Sequence, residues 1–172
     1  MALNNNKKDV TFVSVLGDGS MRVSVPEGTE GAVRRDYELK DGTKGTKYEL
    51  VYTDIDGIIT GIDIREGDYG TQLLITVQDD GCEPIVLALN SASNFAEDMM
   101  KKIPAIDMSQ RVTLAPYSFE DDKGKLRRGI TVTQNGKKVQ NYFYDFHDKK
   151  NVNGYPDPEF KVDRKTGKKK PF

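Results

Sequence analysis

From Tyr48 to Asn90 the chain sets an apolar residue at nearly every second position and interrupts that rhythm only with turn residues. A helix needs apolar groups three or four apart, so this spacing is that of strands with one buried face. Three strands are expected. The first is long and carries Gly57 and Gly61, where a missing side chain permits a bulge or a strong bend. Alternation puts Ile58, Ile62 and Ile64 on one of its faces and Ile55 and Ile59 on the other, so the apolar face is expected to switch near Gly57. The second strand alternates Leu73, Ile75 and Val77. The third alternates Ile85, Leu87 and Leu89, after a tight Asp79-Asp80-Gly81 turn.

The flanking segments extend the β reading. In "VTFVSVLGDGSMRVSVPEGTEGAVRRDYELKDGTKGTKYELVYTD", short β-branched and aromatic runs are separated by Asp18-Gly19, Glu27-Gly28, Asp41-Gly42 and Lys44-Gly45, which predicts hairpins. After the third central strand one helix is expected. Asn94 is the expected N-cap with Glu97 three residues on, Phe95, Met99 and Ile103 recur at helical spacing, and Pro104 stops the run. Strands then resume with Val112 and Leu114, with Ile130 and Val132, and with Val139 after the "NGKK" turn. Three strands, a helix and two or three further strands is the order of an OB-fold, a five-stranded, partly closed barrel with its helix between strands three and four. The fold expected is therefore mainly β: an OB-fold-like barrel with an N-terminal hairpin extension, over residues 1–146. Another small barrel or sandwich with an appended helix fits the same signals. Residues 147–172, rich in Asn, Gly, Pro and Lys, are expected to form a flexible basic tail.

Composition bounds the function classes. The 172 residues suit one domain with a sizeable core. No stretch approaches the roughly 20 apolar residues that a bilayer span needs, and "MALNNNKKDV" lacks a signal-peptide core, which points to a cytoplasmic protein without a membrane partner. Cys82 and His147 are each the only residue of their type, which leaves no internal disulfide, no Cys/His metal set and a poor basis for a triad. "GTKGTK" and "GDGSMR" lack the spacing of nucleotide-binding loops, and Asp54, Asp56, Asp63 and Glu66 do not follow calcium-loop spacing. Neither a catalytic residue, a metal nor a cofactor is expected. The weak enzymatic alternative requires Asp54, Asp56 or Glu66 to converge in a cleft.

Net charge is -1, yet it is segregated along the chain. Residues 49–100 hold one Lys or Arg against eleven Asp or Glu, whereas 101–146 hold nine against five and 147–172 eight against four. Basic residues also keep company with aromatic ones. Arg34, Arg35, Lys40, Lys44 and Lys47 surround Tyr37 and Tyr48; Tyr117 and Phe119 precede a loop with Lys123, Lys125, Arg127 and Arg128; Lys137 and Lys138 precede Tyr142, Phe143 and Tyr144. Cations for phosphates and rings for bases are what single-stranded nucleic acid requires. The stacking candidates are Tyr37, Tyr48, Tyr117, Tyr142 and Tyr144, with Tyr142 and Tyr144 on one strand face. The phosphate candidates are Arg34, Arg35, Lys125, Arg127 and Arg128, with Arg127 and Arg128 acting together. Tyrosines are expected to be exposed more often than phenylalanines, because a phenolic hydroxyl tolerates water. Pleating alone sends about half of such rings to the core.

"VSVLG", "EGTEGAVRR", "YELVYTDIDGIITGID", "YGTQLLITVQDDG", "PYSF" and "GITVTQNGKKV" resemble segments of small tailed-phage proteins, and Val13 to Val139 is similar to phage single-stranded DNA-binding proteins with an OB-fold. The resemblance implies a protein that coats single strands during phage replication or recombination without reading sequence. Such binders commonly end in an acidic tail closed by Pro-Phe that recruits replication or recombination proteins. Pro171 and Phe172 match, but Lys168, Lys169 and Lys170 stand where acidic residues would be. A homodimer is one oligomeric state compatible with these features. The competing reading is a β-barrel interaction or assembly module of a phage that docks an acidic partner.

Overall fold

The computed structural model describes residues 10–39, 41–67, 70–156, 160–162 and 169–171. Lys40, Lys168 and Phe172 lie outside them. Two compact units are present, Met1–Gln140 and Asn141–Phe172.

In the first unit the strands run β1 (Thr11–Val15), β2 (Met21–Val25), β3 (Val33–Glu38), β4 (Lys44–Tyr52), β5 (Ile55–Gly67), β6 (Gly70–Gln78) and β7 (Ile85–Asn90). Then come helix α1 (Asn94–Lys102), a 3-10 turn at Ile103–Ala105, β8 (Arg111–Glu120), β9 (Leu126–Gln134) and β10 (Lys137–Lys138). They form one sheet in the order β10-β9-β8-β5-β6-β7-β1-β2-β4-β3. The mainly β expectation is met, with one helix between the expected third and fourth central strands. The five-stranded barrel is not what the ladder forms: the sheet has ten strands and is open. At β7, the edge where a barrel would close is taken by β1 in parallel, Phe12 opposite Val86 and Val13 opposite Leu87.

The core lies on the concave side. Leu73, Ile75 and Val77 of β6, Leu87 and Leu89 of β7, Val112 and Leu114 of β8, and Ile130 and Val132 of β9 are all buried, as their alternation requires. Long β5 behaves differently. A bulge between Ile59 and Gly61 inserts Thr60, so Ile62 and Ile64 stand opposite Ile75 and Leu73, on the same side as Ile55 and Ile59. The face switch expected near Gly57 therefore does not occur: the extra residue at Thr60 shifts the phase, and the isoleucines on either side of it keep one face. Helix α1 turns Phe95, Ala96 and Met99 into the core. Its N-cap is Ser93 rather than Asn94: the Ser93 hydroxyl accepts from the Ala96 amide, and Asn94 is already helical.

The open sheet is held at two places. Ile130 on β9 lies opposite Pro116 of β8, but its backbone groups turn to the other edge: its N–H donates to Asp98 Oδ2 at 2.8 Å and its carbonyl accepts from Lys102 Nζ at 2.7 Å. One turn of α1 thereby supplies the acceptor and the donor that a neighbouring strand would offer. At the other place the β1–β2 turn meets β8. Gly19 is buried with φ of 85°, and a Cβ on it would come within 2.9 Å of the Ser118 nitrogen and the Tyr117 carbonyl carbon, so the turn needs glycine for conformation and for space.

The N-terminal strands carry one buried charge. Glu49 is 3% exposed and receives the Arg35 guanidinium in a two-pronged contact at 2.7 and 2.8 Å, with Arg22 at 3.9 Å. The hydrogen bonds from Arg35 hold its carboxyl below the usual range, against the opposing effect of burial.

The second unit begins before the tail expected over residues 147–172 and carries short strands. It contains β11 (Tyr144–Asp145) paired with β12 (Lys150–Asn151), and β13 (Phe160–Val162) paired with β14 (Lys169–Pro171). No helix among the described residues is long and apolar enough to cross a membrane.

Glu49→Ala strands two guanidinium groups and is expected to destabilise the fold by about 2–3 kcal/mol at neutral pH. Because the folded carboxyl titrates below the ordinary value of 4.5, its contribution is complete above that value and is lost as pH falls beneath it. Urea midpoints of wild type and variant should converge in that acidic window; an unchanged gap there would refute the linkage.

Candidate nucleic-acid interface

Strands β8 and β9 share a ladder from Thr113–Thr133 to Glu120–Leu126, but β5 leaves β8 after Leu114. The outer half of the hairpin therefore projects with β8 unpaired on its β5 side, which suits Pro116, a residue with no N–H to offer. On the convex face of this projection Tyr117 stands opposite Gly129 and Phe119 opposite Arg127. The rings lie 5.8 Å apart with planes tilted by 35°. Phe119 is 55% exposed, while Tyr117 is half-buried because its ring end covers Gly129. Burial, and then the charge of Asp98, raises the Tyr117 hydroxyl above its ordinary pKa, so it is neutral and a donor at physiological pH.

The hairpin loop is built on Asp121. Its Oδ1 accepts from the amides of Lys123 at 3.0 Å and Lys125 at 2.9 Å, and its Oδ2 from Arg127 Nε at 2.8 Å. These bonds, the Lys125 amide first, lower the carboxyl pKa. Lys123 and Lys125 are exposed, and no carboxylate among the described residues lies within ion-pair distance of either. Arg127 is different, being paired to Asp121.

Arg128 does not join Arg127. Adjacent residues of a strand point to opposite faces. Arg128 turns to the concave side, half-buried, where its Nε donates to Ser118 Oγ at 3.4 Å and its guanidinium lies against Gly17. It lines a cleft of about 290 Å³ with Gly17, Asn90, Ser93, Asn94 and Phe95 at the N-terminus of α1.

The other candidates disperse. Arg34 bonds Asp36, Arg35 is committed to buried Glu49, and the Tyr48 hydroxyl donates to Glu27 at 2.6 Å. Tyr37 lies across Gly45, its ladder partner, with Lys47 Nζ 5.1 Å from the ring centre. This β3–β4 hairpin is at the opposite end of the ladder from β8–β9. Tyr142 and Tyr144 belong to the second unit. Tyr142 sits in a turn, edge-on to Phe143, rather than on a strand face with Tyr144, which packs edge-on against Phe146. Asp56 is held by Arg111, and no group of three or more His, Cys, Asp or Glu among the described residues is placed to hold a metal ion.

The expected exposure of tyrosines over phenylalanines is reversed at the projecting hairpin, where Phe119 is 55% exposed and Tyr117 half-buried; elsewhere Tyr52 and Tyr142 are exposed, Phe95 is buried, and Phe12 is exposed on β1. Phe12 went unselected in the sequence; its position out of phase with buried Val13 is the signal that marks it.

Comparison with family models, with curated proteins and with solved structures finds no match.

Gly129→Ala places a methyl within 2.5 Å of the Tyr117 hydroxyl oxygen and against Asp98. It is expected to cost about 1–3 kcal/mol by overpacking and to swing the Tyr117 ring off the sheet. Thermal denaturation and the tyrosine ring resonances check both effects; unchanged stability would mean that the ring has room to move.

Proposed function

We propose that this protein binds single-stranded DNA without sequence preference, through the projecting β8–β9 hairpin. The carrying observation is that hairpin itself: a neighbouring Tyr117–Phe119 ring pair on its convex face, beside an ordered loop that holds Lys123 and Lys125 outward without a carboxylate partner among the described residues. Rings offer surfaces on which any base can stack, and the lysines neutralise phosphates. Phe119 takes the leading stacking role, with Tyr117 as the platform behind it. Arg127 contributes once phosphate replaces Asp121, and Arg128 serves the concave cleft.

We read the five strands β9-β8-β5-β6-β7, with α1 between β7 and β8, as an opened OB-fold in which β1 occupies the closing edge. In that fold the loop between the last two strands borders the ligand, which is where Lys123 and Lys125 sit. The residue resemblance to phage single-strand binders supports the same assignment and adds a role in phage replication or recombination in the host cytoplasm.

Fluorescence anisotropy of a labelled single-stranded oligonucleotide, at low and moderate salt with duplex as competitor, tests the proposal. Tight, salt-sensitive binding that duplex fails to displace is expected. Phe119→Ala should weaken it by about 1–3 kcal/mol, and Lys123→Gln or Lys125→Gln should each lower the salt slope by about 1. Absence of binding at low salt would sink the proposal and favour an assembly module that docks an acidic protein partner.

A further inference from the structure

Beyond the bulge at Thr60, β5 pairs with β6 alone; its ladder with β8 ends at Ile58–Arg111. Among the described residues no strand covers the other edge from Ile59 to Gly67. Two large apolar groups sit on this uncovered length, Ile62 at 38% and Ile64 at 64% exposure, and with Asp63, Leu73, Met100 and Ile103 they line an open, largely apolar groove. A long uncovered edge with apolar side chains is a template for another strand.

The edge also has a direction. The Ile64 amide donates to the side chain of Asp63 at 2.8 Å and not to β6. The N–H and C=O of Ile64, and by alternation those of Ile62 and Glu66, therefore face outward. Opposite Leu74 and Gln72, the side chains of Asp63 and Arg65 stand on the convex face; both are exposed, and neither is in an ion pair among the described residues.

We propose that a second copy of this chain pairs here, β5 antiparallel to β5, about a two-fold axis through Ile64. In that register the two Ile64 residues exchange backbone hydrogen bonds and cover one another on the core side. On the convex side Asp63 meets the partner's Arg65 and Arg65 meets the partner's Asp63, so one contact is made twice, as two-fold symmetry requires. Charge selects the register. An axis at Asp63 would oppose two carboxylates directly, and an axis at Arg65 two guanidinium groups. The Asp63 carboxylate, which occupies the Ile64 amide in the single chain, is displaced by the partner's carbonyl and turns to arginine. The Met100 and Ile103 side chains beside the groove then gain cover from the second copy.

Sedimentation of the full chain across the micromolar range tests the pairing, independently of any DNA binding. Wild type should sediment as a dimer, with amide exchange at Ile62, Ile64 and Glu66 slowing as protein concentration rises. Asp63→Arg and Arg65→Asp should each weaken association about tenfold or more by opposing like charges, and the double reversal should restore it. Both sites are exposed, so the variants remain folded, which circular dichroism verifies. A chain that stays monomeric, a dimer indifferent to both single reversals, or a double reversal that fails to restore association would each overturn the proposal.

Discussion

The rest of the structure depends on what happens at Ile130. At Ile130 strand β9 would present bare backbone groups on the edge away from β8, and a buried peptide group without partners costs about 1–3 kcal/mol. Asp98 and Lys102, one helical turn apart, meet both of its hydrogen-bonding groups. With Ile130 satisfied by side chains, β9 needs no strand neighbour at that residue, and β10 takes the edge only further on, at Thr133 and Gln134. The sheet continues instead from β7 to β1 and onward to β3. The helix is therefore more than a cap on the core: its polar face completes the hydrogen bonding of β9.

The same arrangement explains the projecting hairpin. Since β5 leaves β8 at Leu114, the outer halves of β8 and β9 are supported by each other, by the β1–β2 turn at Gly19 and, at the Gly129–Ile130 end, by Asp98 of α1. Tyr117 folded across Gly129 stiffens that unit, as Tyr37 across Gly45 stiffens β3–β4. Large rings over cross-strand glycines supply the packing that glycine lacks. Much of the positive charge that clusters in sequence is neutralised locally, Arg34 by Asp36, Arg35 by Glu49, Lys44 by Glu38 and Arg127 by Asp121. Long-range attraction of an anionic ligand consequently rests on a few lysines.

Alternation was enough to read β6, β7, β8 and β9, because each has one face in the core and none is interrupted. It failed in β5, where one inserted residue reversed the phase, and no residue type announces a bulge at Thr60. Asn94 carried an N-cap signal, yet Ser93 beside it offers the same chemistry, and the tight turn at Asn90 decided between them. The parallel pairing of β1 with β7 was illegible, since local sequence does not name a distant partner. For the site, the hairpin and its loop were legible from aromatic and basic spacing. The separation of Arg127 from Arg128 followed from pleating, and the commitment of Arg35 did not, because a glutamate is seldom buried and Glu49 resembles any other in sequence.

That parallel ladder has a consequence for how the chain comes into being. Strand β1 leaves the ribosome early, but its partner follows only after β2 to β6, with Thr11 opposite Ile85. The four leading strands must wait as a hairpin array with an uncovered edge until β7 is made, and closing so long a loop is entropically costly. The β1–β7 ladder is thus made after the local hairpins that it joins. In that interval Phe12 and the β1 edge are open to capture by chaperones or by other nascent chains.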